Sequence, residues 1–308
     1  GYPAPFHIVR MCASPPCTAG GRPSRRAACW ATSQVAGGPC ASADLLCASV
    51  LRSTALRRWP VAVLVWLLIG WVCPGHAAIT FTNLETTSDN VDRTTYTTGS
   101  VTPTSGEVVY LGLHNTKGTL PDEPSAITGT GGFLAVTWTK EATVTFDTIA
   151  SPTSRVSIYS GVPVSSSAGT IAIAFGVNTQ TSLGWSLLQS AGAATSNYTV
   201  QTKTGQANTV ASLTVTFDAA LANTENVNLG VIGKGDNSAT NPCTGFTELG
   251  DVTWITPTSA LESNYLANDT SCDWTWTGNA HVGGIIVEVA VLAAAGGPCL
   301  RPLTGVGC

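Results

Sequence analysis

The chain has 308 residues with 14 basic and 18 acidic side chains, unevenly placed: residues 1–77 hold seven arginines against the single Asp44, which leaves 7 basic and 17 acidic residues, a formal charge of −10, in 78–308. A surface of that sign repels phosphate backbones, which argues against nucleic acid as a partner. Only Lys117, Lys140, Lys203 and Lys234 supply lysine after residue 77, so Thr, Ser and Asn must cover the surface, as in secreted and virion-surface β proteins and seldom in cytosolic enzymes.

Residues 1–49 combine Pro, Gly, Ser, Arg and the cysteines Cys12, Cys17, Cys29, Cys40 and Cys47 without a sustained period of 2 or 3.6. They read as a disordered presequence or an over-extended reading frame with the true start near Val50 or Leu51. Residues 50–77 read as a signal peptide: Arg57-Arg58, then the 13 apolar residues Val61 to Cys73, then Pro74-Gly75-His76-Ala77. That run is short for a bilayer span, and no second run of spanning length follows it, so the mature chain is expected not to cross a membrane.

From residue 78 the composition changes to Thr, Ser, Val and Gly. Strands are expected over 79–84, 100–103, 107–115, 133–138, 142–149, 155–160, 170–177, 183–190, 197–202, 211–217, 227–234, 245–249, 260–265, 272–277 and 284–292, separated by Gly- and Ser-rich turns. Leu213-Thr214-Val215-Thr216-Phe217 alternates as a sheet with one wet face does. Ile171–Phe175 and Ile285–Val289 are apolar nearly throughout and belong in the middle of the structure. No fixed internal period appears. The expectation is an all-β, two-sheet antiparallel β-sandwich of jelly-roll type over 78–292. Residues 293–308 lose the alternation and read as a flexible tail or the start of a linker.

With 1–77 removed, Cys243, Cys272, Cys299 and Cys308 remain, an even number suited to an oxidising compartment. Of the three pairings, Cys243 with Cys272 is favoured because each stands in a polar loop between strand-like runs. Cys299 and Cys308 then pair with each other or with another chain.

Several segments carry a family likeness. The stretch from Ser88-Asp89-Asn90 to Tyr96, the run Gly245-Phe246-Thr247-Glu248-Leu249-Gly250-Asp251, and the closing Asp273-Trp274-Thr275-Trp276-Thr277-Gly278-Asn279-Ala280 with Gly283-Gly284-Ile285 and Val287-Glu288 together resemble a β-sandwich module of phage structural proteins and secreted bacterial surface proteins. The resemblance implies an architecture and a setting, at a cell or virion surface. It assigns no catalytic residue.

The chemistry on offer is sparse. His114 and His281 could serve a hydrolytic triad, but residues 78–308 contain no Gly-x-Ser-x-Gly elbow, and a structural histidine is the favoured account. Glycoside cleavage needs two nearby carboxylates; Glu248, Asp251 and Glu288 show no Glu-x-Asp-x-x-Glu spacing. No cofactor is called for, although Asp89, Asn90 and Asp92 could hold a structural calcium, with an Asx turn as the competing account. Trp254 and Tyr265 are the candidate platforms for stacking on a surface glycan, whereas Trp274 and Trp276, at i and i+2, share a face and are expected in the core. The expected role is that of a non-catalytic exported or virion-associated structural or adhesive sandwich, with glycan or neighbouring subunits as partners. The alternatives are a polysaccharide-active enzyme on a jelly-roll scaffold and a subunit of an extracellular fibre.

Overall fold

A computed structural model describes residues 78–148 and 151–293. The expected leader, the segment 1–49 and the pairing of Cys299 with Cys308 lie outside the described residues. The described chain is all-β, with one short 3-10 turn, Gly131–Phe133, and antiparallel sheets packed against each other.

The strands fall into two successive sets. The first comprises β1 (Thr80–Asp89), β2 (Thr95–Thr97), β3 (Val108–Thr116), β4 (Ala126–Gly129), β5 (Thr139–Thr148), β6 (Ser151–Gly161), β7 (Ile171–Ala174) and β8 (Ser182–Ala191). They form a five-stranded sheet in the order β1-β8-β3-β6-β5 and a three-stranded sheet in the order β2-β7-β4. The interleaving 1-8-3-6 beside 2-7-4 is that of a jelly roll, with the fifth strand attached to the edge of the larger sheet.

The second set comprises β9 (Thr199–Thr216), β10 (Val227–Lys234), β11 (Thr240–Asn241), β12 (Thr247–Ile255), β13 (Thr258–Ala267) and β14 (Ser271–Val289). Strands β9 and β14 are long and bend in mid-length, where Thr209 and Gly278 take φ of 56° and 87° and the β9–β14 register shifts. The bend folds each strand over itself: a Cβ on Gly205 would lie 2.7 Å from Val215, ten positions along the same strand. Counting each bent strand as two gives the order of the first set again. The first part of β9, the second part of β14, β10, β13 and β12 make the large sheet; the second part of β9, the first part of β14 and β11 cover it.

The chain is therefore a tandem pair of jelly rolls joined through their large sheets. Residue registers carry the correspondence. Phe146 pairs with Ser154 on β5–β6, and Trp254 with Ser259 on β12–β13. Both hairpins contain Val-Thr-aromatic followed by Pro-Thr-Ser, at Val144–Phe146 with Pro152–Ser154 and at Val252–Trp254 with Pro257–Ser259. From there the pairings Val156–His114–Gly184 and Leu261–Gly233–Gly283 make His114 the counterpart of Gly233, and Gly184 that of Gly283.

Packing between the halves obeys the same correspondence. A Cβ on Gly112 would meet its counterpart Val231 at 3.1 Å, and one on Gly233 would meet its counterpart His114 at 2.9 Å. Gly184 makes room for Trp254 and Gly283 makes room for Phe146, the reciprocal pair of a two-fold interface. Because counterparts meet in succession along β3 and β10, the pseudo-dyad runs along the strands.

Four layers enclose three apolar cores. The central one joins Val108, Tyr110, Val156 and Ile158 to Val227, Leu229, Leu261, Ile285 and Val287. A second lies between the first large sheet and its cap, around Leu111, Leu113, Phe133, Ile173 and Trp185, and the third between the second large sheet and its cap, around Ile232, Phe246, Trp274, Trp276 and Ile286. Strand β3 is buried at every position because its two faces serve different cores, which accounts for its unbroken apolar run.

Several expected strands differ: 197–202 and 211–217 fall in the single strand β9, and 272–277 and 284–292 in the single strand β14, apart from end residues of 197–202, 211–217 and 284–292. Residues 133–138 begin in the 3-10 turn instead, where Gly131 stands at φ 54° and a Cβ would lie 1.9 Å from the Ala168 carbonyl oxygen. Residues 100–103 contribute only the bridge Val101–Gly169. Strand β12 runs on to Ile255, which brings Trp254 into a sheet and not a loop.

Candidate functional site

The sequence-derived candidates take mostly structural positions. Trp254 is 5% exposed and sits in the central core, its indole against Gly184 and 5.3 Å from the His114 ring, with Nε1 donating to Ser182 Oγ at 3.0 Å. This corrects the expectation of a glycan platform, since no face of the ring is open to a sugar. Tyr265 is partly buried against Phe81, with ring centroids 5.0 Å apart. Trp274 and Trp276 are buried in the third core, as their spacing implies. The Cys243–Cys272 disulfide is present, closing the loop onto the cap.

The Asp89 carboxylate is engaged within its own loop. Oδ1 accepts from the Val91 N–H at 3.0 Å, an Asx turn, and Oδ2 accepts from Arg93 Nε at 2.6 Å. Among the described residues no group of three or more His, Cys, Asp or Glu side chains is placed to hold a metal ion.

The two histidines have different surroundings. His114 is fully buried; its Nδ1–H donates to the Ala260 carbonyl at 2.9 Å and Nε2 makes no hydrogen bond. Burial lowers its pKa to about 4 against the opposing effect of that hydrogen bond, so the ring is neutral at physiological pH. His281, half-buried, faces Asp147 at 3.8 Å.

A carboxyl pair that sequence spacing did not single out lies under the second cap. Asp251 and Glu262 stand opposite each other on β12 and β13. Glu262 Oε1 accepts from Asn264 Nδ2 at 3.0 Å, while Glu262 Oε2 and Asp251 Oδ1 are buried without a hydrogen bond. Burial, with Asp251 and Glu248 nearby, pushes Glu262 up to about 9; burial and Glu248 also raise Asp251. Glu262 is thus a neutral acid at pH 7 and is completely enclosed.

One open concavity stands out at the end of the pseudo-dyad. It has a volume of about 460 Å³ and is lined by the chain leaving β3 (Thr116, Lys117, Gly118), by Gly235 leaving β10, by Thr181, and by the two corresponding hairpins, with Asp147, Thr153 and Ser154 from one and Pro257, Thr258 and Ser259 from the other. The Lys117 ammonium donates to Asp122 Oδ2 at 2.7 Å, and Asp122 also accepts from Gln180 Nε2 at 2.9 Å. Burial pushes the Asp122 carboxyl up, but these hydrogen bonds outweigh it and hold it below the usual range. Beneath the cleft, Thr116 and Ser182 hydroxyls are hydrogen-bonded at 2.7 Å, and Ser182 receives the Trp254 N–H. The arrangement offers hydroxyls on a rigid floor, with no nucleophile–base pair.

Comparison with known proteins gives no match: no family model fits the chain, and no curated protein or solved structure is similar to it.

Proposed function

We propose that the chain is a non-catalytic, exported or virion-associated β-sandwich with a structural or adhesive role at a surface. The observation that carries this reading is the use made of its titratable side chains. His114 is sealed in the central core, Glu262 is enclosed as a neutral acid, and Glu288 and Lys234 are buried and spent on hydrogen bonds. An acidic exterior rich in Thr and Ser over a four-layer filled interior supports the same reading. The test is retention: fluorescently labelled 78–308 is incubated with cells or particles of the source and washed. Saturable retention without release of sugar products supports an adhesive role; absence of retention together with turnover of a polysaccharide panel overturns it.

The second reading, a polysaccharide-active enzyme, draws on the Asp251–Glu262 pair, because two neighbouring carboxyls, one of them a neutral acid, are the partners glycoside cleavage uses. It ranks below the first because Glu262 has no exposed surface through which a chain of sugars could reach it. Loss of all hydrolytic activity in Glu262→Gln, starting from an active wild type, would establish it.

A further inference from the structure

We propose that the cleft at the end of the pseudo-dyad is a binding site for a neutral polyhydroxylated ligand, a short oligosaccharide, held by hydroxyls from both jelly rolls. The proposal rests on the adhesive reading and gives it a location. The cleft's volume of about 460 Å³ lies within the range of small-molecule sites, roughly 300–1,000 Å³. Thr153 from the first half and Thr258 from the second stand in its lining, above a floor that includes the buried Thr116, Ser154 and Ser259. A hydroxyl both donates and accepts, so such a lining matches a ligand whose own groups do both. An ion would need a lining of one sign; here the Lys117 ammonium is already paired with Asp122 at 2.7 Å.

Two further observations belong to the same place. Asp147, which lines the cleft, holds φ at 104°, a conformation unfavourable for a non-glycine residue that persists where surroundings impose it, commonly at ligand sites. On the opposite hairpin Pro257 lines the cleft, an apolar ring suited to the C–H face of a sugar. The pairing of one hairpin with its counterpart gives the site two similar arms, which fits a ligand longer than one ring.

The test begins with a printed array of mono- to hexasaccharides probed with the 78–308 protein, followed by titration calorimetry with the strongest binder. Two lining glycines have room for a Cβ. A Cβ at Gly235 comes no nearer than 3.7 Å to His281, and one at Gly118 meets nothing within 4 Å, so Gly235→Trp and Gly118→Trp should fold, as circular dichroism will verify. The proposal expects each to weaken binding by on the order of tenfold or more. Unchanged affinity in both variants overturns the cleft as the site and leaves the adhesive reading standing, with sugar held elsewhere. A blank array overturns the proposal, and the retention assay then decides the adhesive reading separately. Shortened sugars in mass spectra of the bound fraction overturn the non-catalytic reading itself.

Discussion

The indole of Trp254 occupies the space that a side chain on Gly184 would need: a Cβ at 184 would lie 2.6 Å from the indole Cη2. The counterpart contact, Gly283 under Phe146, is as close at 2.5 Å. Two glycines in mid-strand weaken their strands locally, and here each admits a large ring from the other half. Gly184→Ala and Gly283→Ala should each lower stability by about 1–3 kcal/mol through overpacking, read as a fall in the urea midpoint. Combining Gly184→Ala with Trp254→Phe should cost less than the sum of the single changes, because the two residues share one space. Strict additivity would show that the contact does not join the halves.

Stability should depend on pH through Glu262 and His114 in opposite senses. The folded-state pKa of Glu262, about 9, lies above its ordinary 4.5, so its contribution is full below pH 4.5 and is lost as pH rises toward 9. Asp251, also raised, acts in the same sense. For His114 the folded value, about 4, lies below its ordinary 6.5, so stability is lost as pH falls from 6.5 toward 4. Each pH unit crossed within such a window costs about 1.4 kcal/mol per group. Glu262→Gln should therefore flatten the alkaline side: its urea midpoint should hold between about pH 6 and 9 while that of wild type falls. A parallel fall in both proteins would remove Glu262 from the explanation.

The Cys243–Cys272 bond spans a sequence separation of 29. Closing a loop of that size constrains the unfolded chain by about 3–4 kcal/mol. Cys243→Ser with Cys272→Ser should lose a comparable amount in oxidising buffer and be insensitive to added reductant, whereas wild type in reductant should fall to the level of the variant. Equal midpoints for oxidised and reduced wild type would contradict this.

The last large strand of each half clamps the loop that leads into its second large strand. Gln189 Oε1 accepts from the Thr104 N–H at 2.7 Å and Gln189 Nε2 donates to Glu107 Oε2 at 2.6 Å. At the corresponding positions Glu288 Oε1 accepts from the Ala222 N–H at 2.7 Å and from Asn226 Nδ2 at 2.6 Å, and Oε2 from Gln201 Nε2 at 2.7 Å. Glu288→Ala removes the acceptor of three donors, of which Asn226 is buried, and should cost about 1–3 kcal/mol. Gln189→Ala, at a neutral and more open site, should cost about 1–2 kcal/mol. Amide hydrogen exchange should show early opening confined to residues 218–226 in the first variant; opening spread evenly over both halves would refute the clamp.

What could be read in the sequence followed from physical signals strong enough to survive without tertiary context. Residues 107–115, 183–190 and 227–234 are long apolar runs, and each is a large-sheet strand. The polar residues around Cys243 and Cys272 pointed to their pairing, although Cys272 stands in β14 and both sulfurs are buried in the third core. Strands β2, β4 and β11 went unread because two to four residues are too few to show a period. The doubling was illegible for a different reason: it resides in strand order and cross-strand register, while unequal loops erase any fixed spacing. Trp254 was misplaced because Ile255, Thr256 and Pro257 beside it look like a loop, and the glycine that receives its ring lies in another strand of the other half. The cleft joins Thr116, Ser154 and Ser259, which only the packing of the two halves brings together.

Because the two jelly rolls are fused in one chain, counterparts on either side of the dyad are free to differ. Lys117 and Asp147 line the opening at the axis, whereas their counterparts Asp236 and Ile255 do not and the second half lines it with Gly235, Pro257, Thr258 and Ser259, so the charged groups of the lining all belong to the first half. A mouth built from two identical subunits would accept a ligand equally well in either direction. This one has a polarity, and a chain molecule entering it would be held with one end preferred.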